Sequence, residues 1–159
     1  KIVFIKETKP LDTAGSLLKL KKKLIENVLV INSDIITKIN ISNFYDYHAK
    51  INSDITICSK KHKIILPYGV LKVSKQSVMN ITEKPKFEYW INTGIYFIRS
   101  HVFNKLKQNK KLNAIELIKS SKKAGLKITH YPIYETWFDI GNIEDMKAAE
   151  KYMKKKINR

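Results

Sequence analysis

Val28-Leu-Val-Ile-Asn-Ser-Asp34 decides the fold: four aliphatic residues form an unbroken apolar run that stops at three small polar ones. A run of that kind reads as a strand buried on both faces, as in a sheet covered by helices. Upstream, Lys9-Pro-Leu-Asp-Thr13 supplies turn and N-cap chemistry. From Ala14 the apolar positions Leu17, Leu18, Leu20 and Leu24, with Lys19 and Lys21 to Lys23 between them, predict an amphipathic helix, and Ile2 to Ile5 before it predicts a strand. Downstream, Phe44, Tyr47 and His48 have the spacing of a helix face, with Ser42 or Asn43 as its cap.

Further along, Asp54 to Ser59 reads as a strand and Lys60-Lys-His-Lys63 as a solvated turn. Gly69 to Val73 and Val78 to Thr82 flank Ser74 to Ser77 as an antiparallel hairpin. Asn92 to Ile98 is a strand, Asn113 to Ala124 a helix closed by Gly125 in the left-handed conformation, and Lys127 to Tyr131 a strand. A last helix starts at Ile143, where Glu144 and Asp145 suit the positive end of its dipole and Lys151 to Lys156 the negative end. Strands alternating with helices predict an α/β protein, and no repeat or linker divides the chain.

The chain has 159 residues, 43% of them hydrophobic, with 31 Lys plus Arg against 14 Asp plus Glu, a formal net charge of +17. This composition is globular, and the length suits one compact domain. Apolar runs such as Asn27 to Ile36 are broken by Asn or Asp well short of the ~20 residues of a membrane span, so a soluble chain is expected. The single Cys58, within a β-like run, reads as a small core residue of a reduced, intracellular protein. The charge invites a nucleic-acid-binding module. Against that reading, Lys is spread over nearly every helix, Arg occurs only at Arg99 and Arg159, and no nucleic-acid motif is present.

Several short motifs carry two readings each. Asp34, at the end of an apolar strand, suits either a hard-cation ligand in the crevice beyond the sheet or a helix-capping turn. Asp139, between Trp137-Phe138 and Ile140-Gly141, is expected against the core, where a carboxylate calls for a partner or a metal. Glu83-Lys84-Pro85 is either an anion- and hydroxyl-binding tripeptide or an exposed ion pair beside a turn proline. Asn92-Thr-Gly94 suits a sugar or a β-bulge, and Pro67-Tyr-Gly-Val70 a turn or a backbone edge approached by a ligand.

Taken in order, Glu7…Pro10-Leu-Asp-Thr-Ala-Gly-Ser-Leu17, Val30-Ile-Asn-Ser-Asp34, Pro67-Tyr-Gly-Val70, Ile81-Thr-Glu-Lys-Pro85, Ile91-Asn-Thr-Gly-Ile-Tyr96 and Trp137-Phe-Asp-Ile-Gly141 strongly resemble the sugar-phosphate nucleotidyltransferases. The similarity covers nearly the whole chain and is nearest to the mannose-1-phosphate guanylyltransferase-like branch, which includes nucleotidyltransferases fused to paired CBS domains. The resemblance implies a Rossmann-like three-layer α/β/α fold with a mixed, mostly parallel sheet, of which residues 1–159 would be the C-terminal portion of one catalytic domain. It implies a cytoplasmic enzyme, possible as a homo-oligomer and without nucleic-acid or membrane partners, that joins a nucleoside triphosphate and a sugar 1-phosphate to give a nucleotide sugar and pyrophosphate.

By the same resemblance Asp34 and Asp139 would be ligands of Mg2+, and Lys84 would neutralise the sugar phosphate. Glu83 would bind sugar hydroxyls. Gly69, Asn92, Thr93 and Gly94 would line the sugar pocket, with Tyr68 and Trp137 as walls. Glu7, Asp12, Gly15 and Asp34 would lie on the nucleotide side, Glu7 facing the base edge. The family usually has Gly at the position of Asp12, which puts the ribose and base contact there in question, and Asn113 stands where Asp is common. The family's Gly-rich loop with Arg and a Pro-Lys pair does not occur among these residues, and Gly15, Gly69, Gly94, Gly125 and Gly141 form no cluster that could cradle a triphosphate. The expectation is therefore that this chain alone is inactive; a relative that binds a nucleotide sugar without making one is the competing reading.

Overall fold

The computed structural model describes residues 4, 6–20, 26–104 and 111–157. The strand expected over Ile2 to Ile5 lies largely outside them, as does Leu24 at the end of the first expected helix. The central sheet contains β1 (Asn27–Ile31), β3 (Ile55–Ile65), β6 (Lys86–Arg99) and β7 (Ile128–Ile133) in the order β1-β6-β3-β7. β6 is antiparallel to both β1 and β3, and β3 is parallel to β7. The sheet is mixed, as expected, but two of these three described pairings are antiparallel, so its balance differs from the mostly parallel one predicted.

Alternation along β6 builds the layers. Ile95 and Phe97 turn to one face, where they pack with Cys58, Ile133 and Phe44 of α2 (Ile41–Ile51). Tyr96 and Ile98 turn to the other, against Ala14 and Leu18 of α1 (Asp12–Leu20), Val102 and Phe103 of α3 (Ser100–Asn104) and Leu117 of α4 (Ala114–Lys123). Helices thus cover both faces, the α/β/α arrangement. Cys58 is fully buried with a free thiol, and burial pushes that thiol's pKa up to about 11. Among the described residues no helix is long and apolar enough to cross a membrane.

Local chemistry accounts for most boundaries. α4 starts at a capping box in which Asn113 accepts from the Glu116 amide and the Glu116 carboxylate accepts from the Asn113 amide. It ends before Gly125, whose φ is +76°. α2 is capped by Asn40 rather than by Ser42 or Asn43, the Asn40 carboxamide accepting from the Asn43 amide. The expected strand Val28 to Ile31 is paired on one side only among the described strands, and Ile31 is 44% exposed, so it is not buried on both faces. The expected turn at Lys60 to Lys63 is strand. β3 runs through it opposite Glu88 to Ile91, and Glu88 bridges Lys61 at 2.8 Å and Lys63 at 3.0 Å. Cross-strand charge pairing lets a Lys-rich segment extend as a ribbon.

β4 (Gly69–Ser74) and β5 (Ser77–Glu83) form the predicted hairpin. Asp34 leads into β2 (Ile35–Thr37), which pairs antiparallel with β8 (Trp137–Asp139) in a separate two-stranded ribbon before α5 (Ile143–Ile157).

Candidate functional site

Asp34 and Asp139, separated by more than a hundred residues of chain, are brought to the same end of the β2–β8 ribbon. Ile35 stands opposite Asp139, and the Ile140 amide donates to the Asp34 carbonyl at 3.0 Å. Partial burial, the Asp34 charge and the Asp145 charge, in that order, raise the Asp139 pKa above the usual carboxylate range. A cation between the two would offset both the burial of Asp139 and the like charge of Asp34. Hard divalent ions take oxygen donors, so the Asp34–Asp139 pair fits one. Asp139 is exposed, with Trp137 and Phe138 half-buried, so the expectation that it is enclosed against the core does not hold. The short ribbon carries it on a surface rather than beneath one. Among the described residues no group of three or more His, Cys, Asp or Glu side chains gathers around a common point.

Beside this pair the sheet is interrupted. Between Ser59 opposite Asn92 and Ile57 opposite Tyr96, β6 carries extra residues, and Gly94 adopts a φ of +75°. Of the two readings of Asn92-Thr-Gly94, the structure shows the bulge, and it lies at the carboxyl end of β1. Thr93 is fixed by its hydroxyl donating to the Cys58 carbonyl at 2.8 Å, and the Thr93 carbonyl accepts from Trp137 Nε1 at 3.0 Å. Asn92 is held by Nδ2 donating to the Tyr96 hydroxyl at 2.6 Å and by Oδ1 accepting from the Gly94 amide at 3.1 Å. Trp137, Thr93 and Gly94 thus connect the carboxylate ribbon to the bulge.

Asn32 was missed as a site residue, although it lies inside Val30-Ile-Asn-Ser-Asp34. Its amide donates to the Gly94 carbonyl at 3.0 Å, and a Cβ on Gly94 would lie 2.8 Å from Asn32 Nδ2. Its Oδ1 is buried with no hydrogen-bond partner among the described residues. Its place as the first polar residue after an apolar strand was the available signal.

Tyr68, Gly69, Glu83 and Lys84 form a second group at the base of the hairpin. Gly69 pairs with Glu83, the Lys84 amide donates to the Tyr68 carbonyl at 3.2 Å, and Lys84 Nζ lies 3.9 Å from Glu83 Oε1. A Cβ on Gly69 would lie 3.1 Å from Glu83 Oε2, so glycine leaves that carboxylate room. Lys84 has a φ of +44°, unusual for a non-glycine residue. All four are exposed, and no hydrogen bond or ion pair among the described residues joins them to the bulge. Lys86 to Ile91 separates the two groups, roughly 20 Å of strand contour at 3.3 Å per residue.

The third group is bound up in the fold of α1. Glu7 accepts from the Leu11 amide at 3.1 Å and from the Ser16 hydroxyl. The Ala14 and Gly15 amides both donate to the Leu112 carbonyl, at 2.9 and 3.0 Å. Asp12 lies at a φ of +60° and 3.7 Å from Lys111 Nζ. That left-handed backbone favours glycine and tolerates Asp, which reconciles Asp12 with the glycine usual at the position.

The model of the family described as nucleotidyl transferase matches residues 1–156. The chain belongs to the nucleotidyl transferase family. Over 115 residues, 67% of this nucleotidyl transferase chain and 32% of the relative, it is 31% identical to mannose-1-phosphate guanylyltransferase 1 of Arabidopsis thaliana. It is 29% identical over 137 residues, 73% of the chain and 37% of the relative, to the mannose-1-phosphate guanylyltransferase catalytic subunit beta of Drosophila melanogaster. The match thus spans about a third of the length of these relatives. Among solved structures, HddC from Yersinia pseudotuberculosis complexed with GMP-PN superposes with a TM-score of 0.68 at 24% identity, covering 94% of this chain and 66% of that one. The inositol-1-phosphate CTP transferase from T. maritima gives 0.59 at 12%, covering 85% and 58%. These two likenesses bear on the fold, which is that of the nucleotide-diphospho-sugar transferases.

Proposed function

We propose that the complete protein joins a nucleoside triphosphate to a sugar 1-phosphate, releasing pyrophosphate, and that this chain carries the metal-binding and sugar-phosphate side of the reaction. The observation behind this reading is the Asp34–Asp139 pair, two crowded carboxylates beside a glycine bulge at the carboxyl end of β1. The chemical problem is to bring two anions together. A divalent cation, Mg2+ by family resemblance, supplies charge neutralisation at the transferring phosphate when bound by Asp34 and Asp139. The reading further requires the base of the hairpin to close over the bulge when the sugar phosphate binds, so that Lys84 meets its phosphate and Glu83 accepts hydrogen bonds from its hydroxyls. Asn92, fixed by Tyr96 and the Gly94 amide, presents a pre-oriented carboxamide, while Gly69 and Gly94 leave the backbone open to the ring. Tyr68 and Trp137 form apolar walls. Glu7, Asp12 and Gly15 lie on the nucleotide side, shaping α1 there through the bonds described above.

In this reading the sugar phosphate oxygen attacks the α-phosphorus and the bond to pyrophosphate breaks, so catalysis is positioning and charge stabilisation. The guanylyltransferase names of the relatives make GTP with mannose 1-phosphate the first pair to try. The test is pyrophosphate release by the complete protein across a matrix of triphosphates and sugar 1-phosphates with Mg2+. Turnover with one pair is the expected result; nucleotide-sugar binding without turnover for every pair would overturn the synthetic role.

A further inference from the structure

At the amino end of β1, away from the carboxylates, Glu26, Asn27, Arg99 and His101 line a polar cavity of about 310 Å³. Asn27 and Arg99 stand opposite each other at one end of the β1–β6 ladder, and Ile31 and Ile95 at the other. Four residues of strand therefore separate this cavity from the end of β1 near Asp34, on the order of 13 Å.

The charges in the cavity are set apart rather than paired. His101 Nε2 already meets Asp54 Oδ1 at 2.8 Å, and Asp54 Oδ2 accepts from the Lys127 amide at 2.7 Å. Arg99 is half-buried, yet its guanidinium has no hydrogen bond or ion pair among the described residues, and neither does the Glu26 carboxylate. Two opposite charges line one cavity without coming within ion-pair distance of each other. A partly desolvated cation without a partner is unfavourable, which marks Arg99 as a group prepared for an anion. Asn27 Oδ1 is engaged by His48 Nε2 at 3.1 Å, which fixes the carboxamide and leaves its NH2 as a donor. Glu26 itself has a φ of +32°, an unfavourable conformation for a non-glycine residue, and its carbonyl is anchored by the Ser100 amide at 2.7 Å.

We propose that this cavity is a second binding site, for a small phosphorylated and hydroxyl-bearing metabolite. The guanidinium fork matches phosphate oxygens, with the Asn27 amide as a further donor. Glu26 accepts from hydroxyls and repels ligands of high negative charge, so polyphosphates are excluded. The volume lies at the small end of ligand pockets, the size of a single sugar phosphate. The site stands independently of the proposed transferase reaction.

The probes are inorganic phosphate and glucose 6-phosphate, which lacks the 1-phosphate of a transferase substrate, titrated into the 159-residue chain at low salt and followed by calorimetry. Glucose 6-phosphate should bind about tenfold more tightly than inorganic phosphate. Arg99→Gln should weaken both at least tenfold, and Arg99→Lys, which keeps the charge and loses the fork, should weaken both while retaining the fold by circular dichroism. Glu26→Gln should abolish the preference for the sugar phosphate. Lys84→Ala and Asp139→Asn should leave binding unchanged. Binding that survives both Arg99 substitutions, or that disappears with Lys84→Ala instead, overturns the site.

Discussion

Gly94 shows how one residue links the sheet to the site. Its φ of +75° belongs to a region that side chains avoid, and a Cβ there would press on Asn32 Nδ2 at 2.8 Å and on Asn32 Cγ at 3.0 Å. Gly94→Ala should therefore destabilise the protein by roughly 1–3 kcal/mol, read from urea denaturation. Adding Asn32→Ala should recover the part due to crowding and not the part due to backbone strain; full additivity of the two substitutions would show that they do not touch. Asp139 makes a different kind of demand. Asp139→Asn removes charge from a surface ribbon without changing its size, so stability should hardly change. Turnover of the complete protein should fall by on the order of 10²-fold or more, while sugar 1-phosphate affinity stays within a few-fold. Normal metal-dependent turnover by Asp139→Asn would overturn the assignment of two carboxylates to the metal.

At the scale of elements, α2 is fastened to the sheet by His48 as much as by Phe44. His48 is fully buried, stacked on Phe97, with Nδ1 2.6 Å from the Thr56 hydroxyl and Nε2 3.1 Å from Asn27 Oδ1. Burial, aided by the Arg99 charge, lowers its pKa from 6.5 to about 4. Between those values the unfolded chain binds a proton that the folded one does not, so stability falls as pH drops from about 6.5 to about 4. The loss should approach 2–3 kcal/mol. Denaturation midpoints across that range test this, and His48→Gln should flatten the slope. Asn113→Ala, which removes the α4 cap, should by comparison lower stability by about 1 kcal/mol at any pH in the range.

Elements with a local cause were legible: α4 with its stop at Gly125, the β4–β5 hairpin and the acidic first turn of α5. Those set by a distant partner were not. Lys60 to Lys63 is strand because Glu88 and Trp90 face it from β6, and nothing near it in sequence says so. The site divides the same way. Asp34 and Asp139 could be named from their motifs, but their meeting depends on the β2–β8 ribbon, whose three-residue strands are too short to show a period. Arg99 and Glu26 belong to no motif and come together only through the end of the β1–β6 ladder.

For the molecule as a whole, the net charge of +17 makes a claim about stability that the ion pairs cannot offset. The described lysine–carboxylate pairs join exposed side chains, as at Lys61–Glu88, Lys63–Glu88 and Lys154–Glu150, and water screens such pairs so that each contributes little. Lys excess on every side leaves a general self-repulsion in the compact state that relaxes when the chain expands. Added salt weakens both effects, and with the Debye length near 10 Å at 0.1 M it acts most on the many longer-range repulsions. Repulsion is the larger sum, so moving from low salt to about 0.3 M NaCl should stabilise the fold. A gain of roughly 1 kcal/mol corresponds to a rise in Tm of about 2–4 °C for a chain of this size. Sodium chloride is the salt to use, since sulfate or phosphate would add exclusion effects and occupy anion sites. A Tm that falls with NaCl would mean that the surface pairs form a cooperative network outweighing the net charge.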